Sequence, residues 1–174
     1  RCRIVNIAGG TNVIKVTSPT SKVLSTSASY YTADGESTSE TISFAPQGID
    51  GGTVTVSGGS TTITAPWSGV NSDGNITVSG GTLTITTSAN GVYDSSESDY
   101  TAPSNLGSSS SRTSSASASA KGVRVTGAIT ISDGTLYATS SKHEAIESKS
   151  TITINGGAVY GYSASDDGIN ASST

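Results

Sequence analysis

The sequence has few of the residues from which most folded domains build disulfides, metal centres or aromatic cores. Among 174 residues there is one cysteine, one histidine, one tryptophan, one phenylalanine and no methionine. The lone cysteine, Cys2, excludes a disulfide within the chain and a cysteine-rich zinc site. It is interpreted as an incidental thiol, with pairing between two chains as the alternative. The one histidine, His143, provides no argument for a Ser-His-Asp triad.

Charged and large aliphatic residues are also scarce. Asp, Glu, Lys and Arg make up 13% of the chain, the formal net charge is −4, and Leu, Ile, Val and Phe number 31 of 174 residues. So few apolar residues would suggest disorder, but disordered chains usually carry a high net charge. A thin fold, whose narrow core takes few side chains per repeat, explains how a chain can combine few apolar residues with a low net charge. The weak charge argues against nucleic acid as a partner, and no apolar run is long enough to span a bilayer.

Serine, threonine and glycine fill the sequence instead, with 35, 26 and 21 residues. This composition indicates a neutral surface covered with hydroxyl groups. The length fits one domain and no change of composition divides it, so residues 1–174 are expected to form a single domain. The absence of a secretory leader favours a processed product or an excised fragment.

The abundant residues recur in a repeat of about 22–23 residues. Each unit shows an alternating segment, a glycine corner, a second alternating segment, and a polar turn that leads to one more apolar residue. Period-two alternation predicts strands with the apolar residues facing inward. Aligned positions in successive units are Ile76, Ile129 and Ile152; Val78, Ile131 and Ile154; Leu83, Leu136 and Val159; and the corners Gly80-Gly81, Asp133-Gly134 and Gly156-Gly157.

The repeat predicts an all-β fold, a right-handed parallel β-helix, or β-solenoid, with ladders of like side chains between coils. Coils are expected over 48–93 and 121–174, with a first coil over 4–16. Residues 17–47 and 94–121 break the period and are interpreted as two polar loop insertions. An antiparallel sandwich with hairpins at Gly-Gly is the alternative, but it gives no reason for columns to match in type.

Three segments carry a family resemblance: GVNSDGNITVSGGTLTIT, GAITISDGTLYATSS and STITINGGAVYGYSASDDGINA. They resemble the clostridial-type carbohydrate-binding domain-containing secreted β-helix family, whose characterised relatives bind polygalacturonate and resemble family 9 polysaccharide lyases. The resemblance covers residues 48–93 and 121–174. It implies a right-handed parallel β-helix, a secreted or cell-surface location, calcium at the turns and affinity for acidic plant polysaccharide.

Stacked turns concentrate oxygen ligands near the C-terminal end. The register places Lys121, Glu144 and Asp167 in one column, and Arg124, Glu147 and Asn170 in another. Calcium takes six to eight oxygen ligands, and the resemblance supports the acidic turn 166–170 most directly. In the alternative, a charge ladder, Lys121 and Arg124 neutralise the two glutamates. The candidate calcium ligands are Glu144, Glu147, Asp166, Asp167 and Asn170.

Three tyrosines are candidates for carbohydrate binding. If the alternating apolar residues face inward, Tyr137, Tyr160 and Tyr162 face outward on one sheet, with Tyr137 and Tyr160 directly stacked. Such rings stack on sugar faces while their hydroxyls form hydrogen bonds. The alternative is that they stabilise the strands or bury themselves against a neighbouring subunit.

No residue is predicted to be catalytic. A lyase of the resembled type needs a base, commonly a lysine, near calcium, and the nearest candidates, Lys142 and Lys149, lie in no diagnostic motif. Asn75 and Asn170 each match the N-glycosylation sequon, which occurs often by chance in a chain rich in serine and threonine.

Two functions are consistent with these features. The first is an extracellular module that binds acidic polysaccharide or cell-wall glycan. The second is a structural subunit of an extracellular filament, because the last coil is unfinished and another copy could stack on it head to tail.

Overall fold

The computed structural model describes residues 2–16, 24–31, 37–44, 47–87, 121–141 and 143–172, with backbone alone for 2, 24–31 and 37–44. Within them the chain forms strands, and no helix there could cross a membrane. The strands are β1 (Cys2–Ile7), β2 (Thr11–Lys15), β3 (Leu24–Tyr31), β4 (Ser37–Phe44), β5 (Ile49–Ala65), β6 (Val70–Ser72), β7 (Ile76–Thr87), β8 (Val123–Val125), β9 (Ile129–Ser140), β10 (Ile146–Ser148), β11 (Ile152–Ile154), β12 (Ala158–Ser163) and β13 (Ile169–Ala171).

Eleven of these strands form one sheet with parallel pairing throughout. The long strand β5 pairs with β7, and β7 pairs with β9. Strands β1 and β2 pair with β5, whereas β11 and β12 pair with β9. The short strands β6, β8, β10 and β13 continue in that order from the start of β5. Successive passes of the chain are thus stacked in parallel, as in a β-solenoid, and the antiparallel sandwich is wrong.

The stacking joins like side chains from coil to coil. Ile129 pairs with Ile76 on one side and with Ile152 on the other, which are the residues that the repeat aligns. Burying one such side chain stabilises the fold by about 1.5–3 kcal/mol. The apolar core side chains that are at most 1% exposed are Val54, Val56, Ile63, Ala65, Val70, Ile76, Val78, Leu83, Ile85, Val123, Val125, Ile129, Ile131, Leu136, Ala138, Ala145 and Ile146.

Glycine makes the corner between the two long segments of each coil. Gly134 has φ of 81°, in the left-handed region that other residues rarely adopt. A Cβ atom there would lie 2.6 Å from the carbonyl oxygen of Gly81, the equivalent corner of the neighbouring coil. The corner residue is therefore restricted both by its own backbone and by the coil stacked on it.

The first predicted insertion, residues 17–47, contains an element that the repeat did not predict. Strands β3 and β4 pair with each other in antiparallel register, from Leu24 with Phe44 to Tyr31 with Ser37. They form a two-stranded sheet separate from the parallel stack. Most of the second predicted insertion, residues 94–120, lies outside the described residues.

Candidate functional site

The three candidate tyrosines lie on the outer surface of the stack. Tyr137 belongs to β9 and is 42% exposed, while Tyr160 and Tyr162 belong to β12 and are 56% and 64% exposed. They alternate with residues of the core column, because Leu136 and Ala138 on either side of Tyr137 are fully buried. Strand alternation thus directs the rings toward solvent.

Tyr137 and Tyr160 are direct partners in the parallel register. Their ring centroids lie 6.0 Å apart and the ring planes are inclined by 43°. The rings are therefore adjacent but tilted, and they do not stack in parallel. Tyr162 pairs with Thr139 instead of with a third ring. Together the tyrosines form an uneven aromatic surface whose phenol groups remain accessible.

Threonine columns continue this surface across the neighbouring coils. Tyr137 pairs with Thr84, and Thr84 pairs with Thr62. A second column runs beside it from Tyr162 through Thr139. The threonines were not among the predicted binding residues, although the period-two pattern of β5 and β7 assigns them to the same side as the tyrosines. We call the outward set the tyrosine face; its members are Thr62, Thr64, Thr84, Thr86, Tyr137, Thr139, Tyr160 and Tyr162.

A buried cluster of charges lies around the short strand β10 and the stacked turns that precede β8 and β10. Nζ of Lys121 is 3.0 Å from Oε2 of Glu144 and 2.7 Å from Oε2 of Glu147. Nζ of Lys149 contacts the other oxygen of Glu147. The side chains of Lys121 and Glu147 are only 7% and 1% exposed. We call these four residues the lysine–glutamate cluster.

Glu144 is held in its ionised form. Burial raises the pKa of its carboxyl group, but a backbone hydrogen bond and the hydrogen bond and charge of Lys121 act in the opposite direction and outweigh it. The nearby charge of Asp166 raises the pKa slightly. The net result is a pKa below the ordinary glutamate value, because the backbone hydrogen bond and Lys121 together stabilise the carboxylate.

Arg124 has a polar partner that the charge ladder did not predict. Although Arg124 and Glu147 are paired in register, Nη1 of Arg124 donates to Oδ1 of Asn71 at 3.1 Å. Asn71 in turn donates from Nδ2 to Oδ1 of Asp50 at 2.9 Å. Asn71 and Arg124 are 3% and 7% exposed. Asp50 and Asn71 were not predicted as members of the site. The signal that could have indicated them is their position in the same column as Arg124.

The acidic turn at 166–170 is more open. Asp166 and Asp167 are exposed, and the backbone N–H of Asp167 donates to Oδ1 of Asp166 at 2.9 Å. Nδ1 of His143 lies 3.8 Å from Oδ2 of Asp166. Donor atoms of His143, Glu144 and Asp166 all lie within 4.8 Å of one another. Asn170 donates from Nδ2 to Oε1 of Glu144 at 3.4 Å.

The five predicted calcium ligands do not combine into one calcium site in this arrangement. Calcium needs a shell of oxygen atoms free to face it. Oxygens of Glu144 and Glu147 instead face the ammonium group of Lys121, and the remaining oxygens face Lys149 and the Asn170 amide. Asp166 joins Glu144 and His143, but the group that gathers there includes neither Glu147 nor Asp167. The donor set therefore does not fit the ion.

Of the two lysines considered as catalytic bases, the structure describes one. Lys149 contacts Glu147 and belongs to the lysine–glutamate cluster. Lys142 lies outside the described residues.

Comparison with known proteins identifies a family. Two overlapping stretches, residues 3–91 and 47–168, match the family model described as carbohydrate-binding domain-containing protein. A repeated coil explains the overlap, since similar coils can align with the same model in two registers. No curated protein and no solved structure matches the chain.

Proposed function

Because the chain belongs to the family of carbohydrate-binding domain-containing proteins, we propose that it is a glycan-binding module and that the tyrosine face is its binding surface. The observation that carries this proposal is the exposure of three tyrosines in adjacent outward columns, beside columns of threonine. Aromatic rings cover the apolar faces of sugars, and hydroxyl groups exchange hydrogen bonds with sugar hydroxyls.

The face suits an extended glycan better than a single sugar. Parallel coils repeat at about 4.8 Å, which is close to the length of one pyranose in a linear chain. A glycan that runs along the stack would meet Tyr160 and Tyr137, then Thr84 and Thr62. Tyr162 and Thr139 would flank it. The backbone of the parallel sheet holds these groups in place before binding, which limits the entropy lost on association.

Substitution of Tyr160 tests the proposal. We expect Tyr160→Ala to lose most retention on an immobilised or gel-embedded glycan, because the change removes the ring that neighbours both Tyr137 and Tyr162. The melting temperature should stay nearly unchanged, since Tyr160 is 56% exposed. Thr153→Ala, at an exposed position of β11 in the same coil, is the matched control. Equal retention of both variants and the unaltered chain would contradict the assignment of the face.

The proposal also includes an acidic polysaccharide as the ligand, an extracellular location and a right-handed winding of the coils. Crossover connections between parallel strands are right-handed in about 98% of cases, which supports the winding.

Lys15 lies in the column of Thr64, at the far end of the face from Tyr162, and offers one cationic group to a carboxylate. Affinity electrophoresis in polygalacturonate beside an uncharged polysaccharide separates the two ligand classes: stronger retardation by the uncharged polymer would contradict acid preference. We propose no catalytic step.

A filament subunit is the second candidate, favoured by the match between the first and last coils. Val5 and Ile7 in β1 begin the same inward columns that Ile152 and Ile154 continue in β11. A second copy stacked end to end would therefore join apolar residues of like type. Negative-stain microscopy of the purified chain distinguishes fibres, which this candidate requires, from discrete particles.

A further inference from the structure

The lysine–glutamate cluster lies at the stacked turns and contains two of the five predicted calcium ligands, Glu144 and Glu147. Lys121 reaches from its own coil to Glu144 and Glu147 in the next coil, and its ammonium group lies within 3.0 Å of an oxygen from each. A cation shared by two carboxylates at a turn between coils is the arrangement that a bound metal ion would otherwise provide. Here the cation is the side-chain ammonium group of Lys121.

We propose that Lys121 replaces calcium in the stacked turns, so that this module folds and holds its coils together without the ion. Two glutamates in the cluster are matched by two lysines, because Lys149 contacts the second oxygen of Glu147. A divalent ion at the same place would have to displace an ammonium group whose side chain is 93% buried. Repulsion between the ion and the lysine in a poorly hydrated site opposes that exchange.

The local register shows why the lysine reaches both carboxylates. Val123 pairs with Ile146, so that Lys121, two residues earlier, lies opposite Glu144. The backbone N–H of Lys121 donates to Oγ of Ser68 at 3.3 Å, which fixes the start of its turn on the preceding coil. Glu147 follows three residues after Glu144, one residue into β10. The lysine side chain therefore meets one glutamate from the turn and one from the strand.

The unaltered chain provides the first test. Its melting temperature should be the same in calcium and in a chelator, and calorimetric titration with calcium should give no binding heat. A rise in melting temperature with calcium, or a saturable binding heat, would overturn the proposal. This readout does not depend on glycan binding, so its failure is distinguishable from failure of the tyrosine face.

Removal of the lysine charge provides the second test. Lys121→Met keeps most of the side-chain volume but leaves the two buried carboxylates with Lys149 as the one lysine of the cluster, which should lower the melting temperature by about 6–20 °C in chelator. Millimolar calcium should restore part of this loss by binding the vacated position. Lys121→Arg, which keeps the charge, should remain insensitive to calcium.

The variants remain informative if Lys121→Met does not fold in chelator. Refolding in calcium, followed by circular dichroism, should then recover the β spectrum, and refolding in magnesium should recover less because magnesium demands a stricter octahedral shell. A variant that is equally unfolded with and without calcium would contradict an exchangeable cation position, as would calcium stabilisation of Lys121→Arg.

Discussion

Glu144 shows how a single buried carboxylate contributes to the stability of the turns. Its pKa lies below the ordinary value, because the backbone hydrogen bond and Lys121 outweigh the effect of burial. A lowered pKa in the folded state means that the contribution to stability is complete above the unfolded-state pKa, about 4.3 for glutamate. The contribution is lost as the pH falls from there through the lower folded-state value.

We therefore expect the melting temperature to fall as the pH is lowered below about 4.3. Glu144→Gln should melt at a lower temperature than the unaltered chain at pH 7, but its melting temperature should depend less on pH across the acid range. Scanning calorimetry from neutral to acid pH measures both effects. Parallel pH profiles for the two proteins would show that ionised Glu144 adds no stability.

Residue types alone could not decide between a charge ladder and a calcium site. Both use Glu144 and Glu147 at the same columns, and the register places Lys121 near them in either case. The distinction depends on where a flexible lysine side chain ends, which packing of the surrounding turn determines. The structure supports the ladder for Lys121, and it shows Arg124 donating a hydrogen bond to Asn71.

At the scale of the elements, the glycine corners permit the change of direction between strand segments. Gly10 and Gly134 have nearly equal φ values, 79° and 81°. Their surroundings differ, because a Cβ atom at Gly10 would meet only Oδ1 of Asn12 at 3.9 Å, whereas one at Gly134 would meet the backbone of Gly80 and Gly81 within 3.0 Å. Comparison of Gly10 with Gly134 therefore distinguishes the cost of backbone strain from the cost of close contact between coils.

Gly10→Ala should lower the free energy of unfolding by about 1–2 kcal/mol, the cost of a left-handed conformation for an L-residue. Gly134→Ala should cost a further 1–3 kcal/mol or so, because the added methyl group forces stacked backbones apart. Urea unfolding of the two variants measures the difference. Equal losses would indicate that the neighbouring coil yields freely at Gly134 and that contact between corners is unimportant.

The strands were predictable to different degrees. Alternation and the matched columns predicted the pairing of Ile76, Ile129 and Ile152, because each coil buries the same side of its strands. The hairpin of β3 and β4 was not predicted, since its serine-rich segments follow no column of the repeat. The threonine part of the tyrosine face was also missed, because outward threonine is common in any strand and becomes distinctive only when coils are stacked.

At the scale of the whole molecule, the core of the described residues is one continuous set of columns. Within this part of the chain each coil packs against the coils on either side, so stability is approximately a sum of nearest-neighbour terms. Inner coils have neighbours on both sides: Ile129 in β9 is fully buried between Ile76 and Ile152. Ile152 is only partly buried although it belongs to the same column.

The same substitution should therefore have different effects along one column. Ile129→Ala leaves a cavity between two coils and should cost about 2–5 kcal/mol of unfolding free energy. Ile152→Ala removes the same atoms from a partly solvated position, and its cost should be less than half as large, since less apolar area leaves water on folding. Urea unfolding of the 174-residue chain, with hydrogen exchange to locate the loss, measures both effects. Equal losses of unfolding free energy in the two variants would mean that all coils contribute evenly to one shared core. A much smaller loss for Ile152→Ala would establish that the stability of a coil depends on how many coils lie beside it.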